Sequence, residues 1–138
     1  MDIALLASSL VTKLPCFQKW EPASLLAWLG WHIRGDEVIV VSYEGMILGA
    51  AIGRTVSTPE DCKDRYKHSD HGLHLCVDAI FAHNKETFVS LCEALKSRFY
   101  NAHYITFARA KYNNRYRTYK IDTFMKKLPK LEGGYSIA

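Results

Sequence analysis

Two hydrophobic periods run along this chain, and each change of period marks an element. Ile3, Leu6, Ala7, Leu10, Val11 and Leu14 recur at helical spacing, which predicts an amphipathic helix over residues 2 to 14, stopped by Pro15. Cys16 to Trp20 is a connector. A second helix begins near Pro22, carries Leu25, Leu26, Trp28, Leu29 and Ile33 on its apolar side, and ends at Gly30 or Gly35. The period then shortens. Glu37 to Tyr43 is β-branched and apolar, Glu44-Gly45 turns, and Met46 to Val56 returns, so this is a hairpin. Gly49, Ala50, Ala51 and Gly53 keep the returning strand thin, open to close approach by a backbone or ligand, or by a packed helix.

Residues 57 to 72 are polar and without period. They form a surface loop whose length points to function or to some helical content. His74 to Ala110 holds an apolar run, an amphipathic helix and a second apolar run, the pattern of a βαβ unit. Phe88, Leu91, Cys92, Leu95 and Phe99 face inward on that helix, and Asn84 is placed to cap it. A hairpin follows, Tyr104 to Lys111 against Arg115 to Ile121, turning at Asn113-Asn114. Asp122 caps a short helix that Pro129 stops, and the tail LEGGYSIA is loose.

One residue breaks the pattern. Asp78 lies inside the apolar strand HLCVDAIFA. A carboxylate there needs a partner or a wet cleft, because an unpaired buried charge is costly. Ala79 and Ala82 leave room beside the strand and favour the cleft.

Length and composition fit one domain over residues 1–138, with no apolar run long enough for a membrane span. Asp2 stands where a signal peptide would be basic, so the first helix belongs to the mature protein. Four cysteines without a Cys-x-x-Cys pair imply free thiols, a reducing compartment and a cytoplasmic location. The net charge of +4 is uneven: residues 109 to 132 hold eight Lys/Arg against Asp122 and Glu132. That basic end reads either as a solvated face or as a surface for nucleic acid, phosphate or an acidic protein.

Two helices, a hairpin, a strand, a helix and a strand make an α/β (α+β) order. It resembles the GNAT acyltransferase fold less its first strand, a mixed sheet of about five strands with helices on both faces. The stretches KWEPASLLAWL, EVIVVSYEGMILGAA, HLCVDAIFAHN and CEALKSRFYNAHYITFARAK, together spanning roughly residues 19 to 111, are similar to the toxin-activating lysine acyltransferases. The resemblance implies acyl transfer to a protein lysine, with acyl-ACP or acyl-CoA as donor and Asp78 as the catalytic carboxylate. The family's histidine position, three residues before Trp20, is held by Phe17, which implies a degenerate site. The turn AHNKET carries no glycine, so the usual phosphate cradle at the central helix is missing.

His68, Asp70, His71 and His74 match no common zinc spacing, so no metal site is expected. His74 and Asp78 share a strand face but stand roughly 13 Å apart, too far for a hydrogen bond. His32 and His71 reach Asp78 only if the tertiary fold brings them there. Arg115, Arg117 and Lys120, interleaved with tyrosines, read as a nucleic-acid or substrate surface, or as the cover of an edge hairpin. Two functions follow: an N-acyltransferase, or a catalytically inactive relative serving as a binding or structural module with a protein partner. A phage or prophage setting, with a virion-associated or host-interaction role, suits the second.

Overall fold

Asp2 opens the first helix, α1 (Ile3–Lys13), by accepting the Leu5 N–H at 3.0 Å. The second, α2 (Pro22–Arg34), starts on its proline, runs through Gly30 and closes at Gly35. The structure is a computed structural model, and it describes residues 2–109, 115–128 and 136–137. Strands β1 (Val38–Tyr43) and β2 (Met46–Val56) form the expected hairpin, with Glu44 and Gly45 at positive φ in its turn. Then follow β3 (His74–Ala82), α3 (Lys85–Arg98), β4 (Tyr104–Arg109), β5 (Arg115–Lys120), α4 (Ile121–Lys127) and a short β6 (Ser136–Ile137). The expected turn at Asn113-Asn114 lies outside the described residues. Asp122 sits within the first turn of α4 rather than capping it, since Lys120 holds the cap position.

The sheet runs in the order β1-β2-β3-β4-β5 and is mixed, with β3 and β4 parallel and the other neighbours antiparallel. Helices α1 and α2 cover one face, where Leu6, Leu10, Trp28 and Leu29 pack on Ala50, Ile52, Ala79 and Phe81. Helices α3 and α4 cover the other, where Phe88, Leu91, Leu95 and Phe124 pack on Leu75, Val77, Ile80 and Phe107. The thin strand serves helix packing: a Cβ on Gly49 would come within 2.8 Å of the Phe81 carbonyl and 3.1 Å of Leu91.

The stretch 57 to 72 contains a 3-10 helix, Pro59–Lys63, the helical content its length pointed to, and Arg54 of β2 ties it to the sheet from inside. Two expectations change. Cys62 and Cys76 are joined in a disulfide with their Cα atoms 5.7 Å apart, which overturns the expectation of free thiols and with it the cysteine argument for a reducing compartment. Tertiary packing makes that pair, so no local spacing announces it. The tail is not wholly loose. Strand β4 pairs with β3 only from His74 to Cys76, and Ser136 and Ile137 take up the edge of β3 at Phe81 and Ile80. An unpaired strand edge is a ready template for such an addition.

Candidate acid–base site

The site begins with a bulge. Ile52 pairs with Ala79 and Gly53 with Val77, so Asp78 is an extra residue on β3. A bulge re-aims side chains. Here it turns Asp78 to the same face as Ala79 and Phe81, toward α2, while Val77 keeps to the α3 core. That accounts for a carboxylate inside an apolar run.

Arg54 of β2 meets it. The guanidinium is fully buried and donates from Nε to Asp78 Oδ2 at 3.0 Å and from Nη2 to Oδ1 at 3.3 Å. Its remaining donors go to backbone carbonyls of the 57 to 72 loop: Cys62 at 2.9 Å, Asp61 at 3.4 Å, and Lys67. Asp78 has therefore found a partner, and its side chain keeps only 15% exposure rather than standing in an open wet cleft. Burial pushes its carboxyl above the ordinary carboxylate value, opposed by the charge and hydrogen bonds of Arg54.

His32 supplies the third group. It occupies the apolar stripe of α2 with Leu25, Trp28 and Leu29 and is fully buried, edge-on to Trp28. After Gly35 the chain reverses through Asp36 at φ 56° and brings Glu37 back beneath the helix. The Glu37 N–H bonds the His32 carbonyl at 2.9 Å, and His32 Nδ1 donates to Glu37 Oε1 at 2.9 Å. Glu37 is itself buried. With its proton on Nδ1, His32 presents a lone pair at Nε2. That atom is buried without a hydrogen-bond partner and lies 3.7 Å from Asp78 Oδ2. Two acceptors thus face each other with room for one shared proton.

Tyr116 of β5 alternates onto this same sheet face. Burial and then the Asp78 charge push its phenol above the ordinary value, with Arg54 opposing, so it stays a proton donor. His74 does not join the site; it stacks on Tyr104 with ring centroids 4.9 Å apart. Phe17 is core, packed against Trp20 and Trp28 at 5.4 and 5.5 Å. Arg115 and Arg117 alternate onto the sheet face where Tyr119 packs on Phe107, whereas Lys120 falls on the other. Arg115, Arg117 and Lys120 are all exposed. Among the described residues no group of three or more His, Cys, Asp or Glu is placed to hold a metal ion, and no helix is long and apolar enough to cross a membrane.

Asp78 was legible in the sequence, whereas Glu37 read only as the start of a strand, Tyr116 only as part of the aromatic-basic hairpin, and Arg54 as nothing in particular. A signal existed for Arg54, a lone cation in the apolar strand GAAIGRTV that pairs with β3. His32 was legible as a histidine at stripe spacing with Leu25, Trp28 and Leu29.

A mixed sheet sandwiched by two helix pairs makes a GNAT-like α+β fold. No family model and no curated protein matches the chain. Among solved structures it is similar to the GphF GNAT-like decarboxylase in complex with isobutyryl-CoA, with a TM-score of 0.59 at 15% identity. The match covers 78% of this chain, which spans 62% of the length of that one. Identity this low shows the fold alone.

Proposed function

We propose that the chain is a GNAT-type N-acyltransferase that moves an acyl group from a thioester to an amine, the amine being a protein lysine. The observation that carries this reading is the unpartnered His32 Nε2 facing Asp78 Oδ2. In the reaction the amine nitrogen attacks the thioester carbonyl and the C–S bond breaks. The amine's proton passes to Asp78, where His32 Nε2 shares it, and Tyr116 is the nearby phenol that can protonate the leaving thiolate, its phenolate then taking a proton from the water that reaches this exposed ring. Glu37 fixes the imidazole in the tautomer that leaves Nε2 free. The structural neighbour's acyl-CoA makes CoA thioesters one donor to test. Carrier-protein thioesters fit the residues better: Asn84 Oδ1 already accepts the Thr87 N–H at 2.8 Å, at the helix turn where a pyrophosphate would need free amides.

Intact-mass spectrometry of lysine-bearing acceptors, with acyl-ACP and acyl-CoA donors, tests it. Wild type should add one acyl mass, and Asp78→Asn or His32→Gln should slow the gain by about 10²- to 10⁴-fold. No mass gain from either donor would leave the second reading, an inactive GNAT-fold binding or structural protein with a virion or host-interaction role. Arg54 favours that one, since its grip on Asp78 suits a scaffold.

A further inference from the structure

The polar cluster does not end at Glu37. Its second oxygen, Oε2, lies 3.7 Å from Nε2 of His68, a half-exposed residue of the 57 to 72 loop. His68 opens onto a recess of about 280 Å³ lined by Trp31, Arg34, Gly35 and Glu37. A line of titratable side chains therefore runs from the surface inward: His68, Glu37, His32, Asp78. The separations are 3.7, 2.9 and 3.7 Å. The middle pair is hydrogen-bonded, and each outer gap closes to bonding length with a shift under about 1 Å. His32 is fully buried, and Glu37, only 3% exposed, stands in the wall of that recess. Such a line through an apolar interior is costly to bury and has no packing purpose that a leucine would not meet better.

We propose that His68, Glu37 and His32 form a proton path between Asp78 and solvent. The inference rests on the acid–base reading of Asp78 given above and names how that site is reset. Asp78 Oδ2 passes the proton it has collected to His32 Nε2. His32 releases its Nδ1 proton to Glu37 Oε1. A half-turn of the Glu37 carboxyl presents that proton to His68 Nε2, and His68 releases it to water. Each acceptor gains one proton and loses one, and a ring flip of His32 restores the starting tautomer. The charged groups facing the path are Arg54 at Asp78, Asp70 at 3.5 Å from His68 Nε2, and Arg34 in the outer recess, and the neutral phenol of Tyr116 also faces Asp78.

The test uses the full chain without substrate, so it stands whether or not acyl transfer is found. The exchange rate of the His32 Nδ1 proton with water is measured by nitrogen-edited NMR in wild type, His68→Gln and Glu37→Gln. His68→Gln changes a surface residue, and an unchanged urea midpoint will show that it is folded. Both variants should slow exchange at least about tenfold, since each removes a carrier that must accept and release the proton. A rate equal to wild type in folded His68→Gln overturns the path, and so does a signal equally exchange-broadened in both. If acyl transfer is found, the same variant should lower kcat and spare KM. A loss confined to KM would mark His68 as a substrate contact instead.

Discussion

Arg54 holds Asp78 with two nitrogens, Nε at 3.0 Å from one carboxylate oxygen and Nη2 at 3.3 Å from the other. Removing either member strands the other inside the protein. Arg54→Met or Asp78→Ala should each cost about 3 to 5 kcal/mol in urea unfolding at neutral pH, and the double variant should cost less than their sum. Asp78→Asn, which keeps shape and acceptor, should lie nearer wild type. Additive losses would show that the two residues do not depend on each other.

Phe17 is 3% exposed between two tryptophans. Phe17→His should therefore destabilise the protein by about 1 to 3 kcal/mol through an unpaired buried polar group. It should not raise acyl transfer, because the ring would enter the α1–α2 core. A variant as stable as wild type with improved turnover would overturn this account.

Gly72 closes the 57 to 72 loop against β2. A Cβ there would run into the Val56 backbone, its carbonyl oxygen first, which is rigid. Gly72→Ala should cost about 1 to 3 kcal/mol and expose the loop to limited proteolysis. The same cleavage rate as wild type would show that the loop tolerates the shift.

Cys92 is buried on the inner face of α3, and burial pushes its thiol from 9.0 up to about 12. A raised value means the folded state favours the neutral thiol. That contribution is whole below the ordinary thiol value and is lost as pH rises through about 12. The stability difference between wild type and Cys92→Ala should shrink over this alkaline range. Iodoacetamide at neutral pH should label exposed Cys16 and spare Cys92 until urea unfolds the chain.

The periodic elements were legible because their side chains have one job. The α2 stripe, the thin β2 and the α3 face each follow from spacing alone. Asp78 was legible as an exception to such a period. What completes its site was not, for physical reasons. Arg54 is satisfied partly by the carbonyls of residues 61, 62 and 67, and a carbonyl has no side-chain identity to read. Glu37 looked like the first residue of a strand, and only the left-handed Asp36 turns it back onto His32. The bulge at Asp78 depends on pairing with β2, so the strand alone does not show it.

The disulfide between Cys62 and Cys76 closes a ring with a sequence separation of 14. That ring contains His68 and two of the carbonyls that hold Arg54. A covalent ring outlasts unfolding. It keeps those groups near one another in the denatured chain and lowers that chain's freedom, by roughly 3 kcal/mol for a ring of this size. A thiol reductant acting on this protein would thus change the unfolded ensemble before it changed any contact in the sheet. The segment to lose order first would be the one that carries His68 to Glu37.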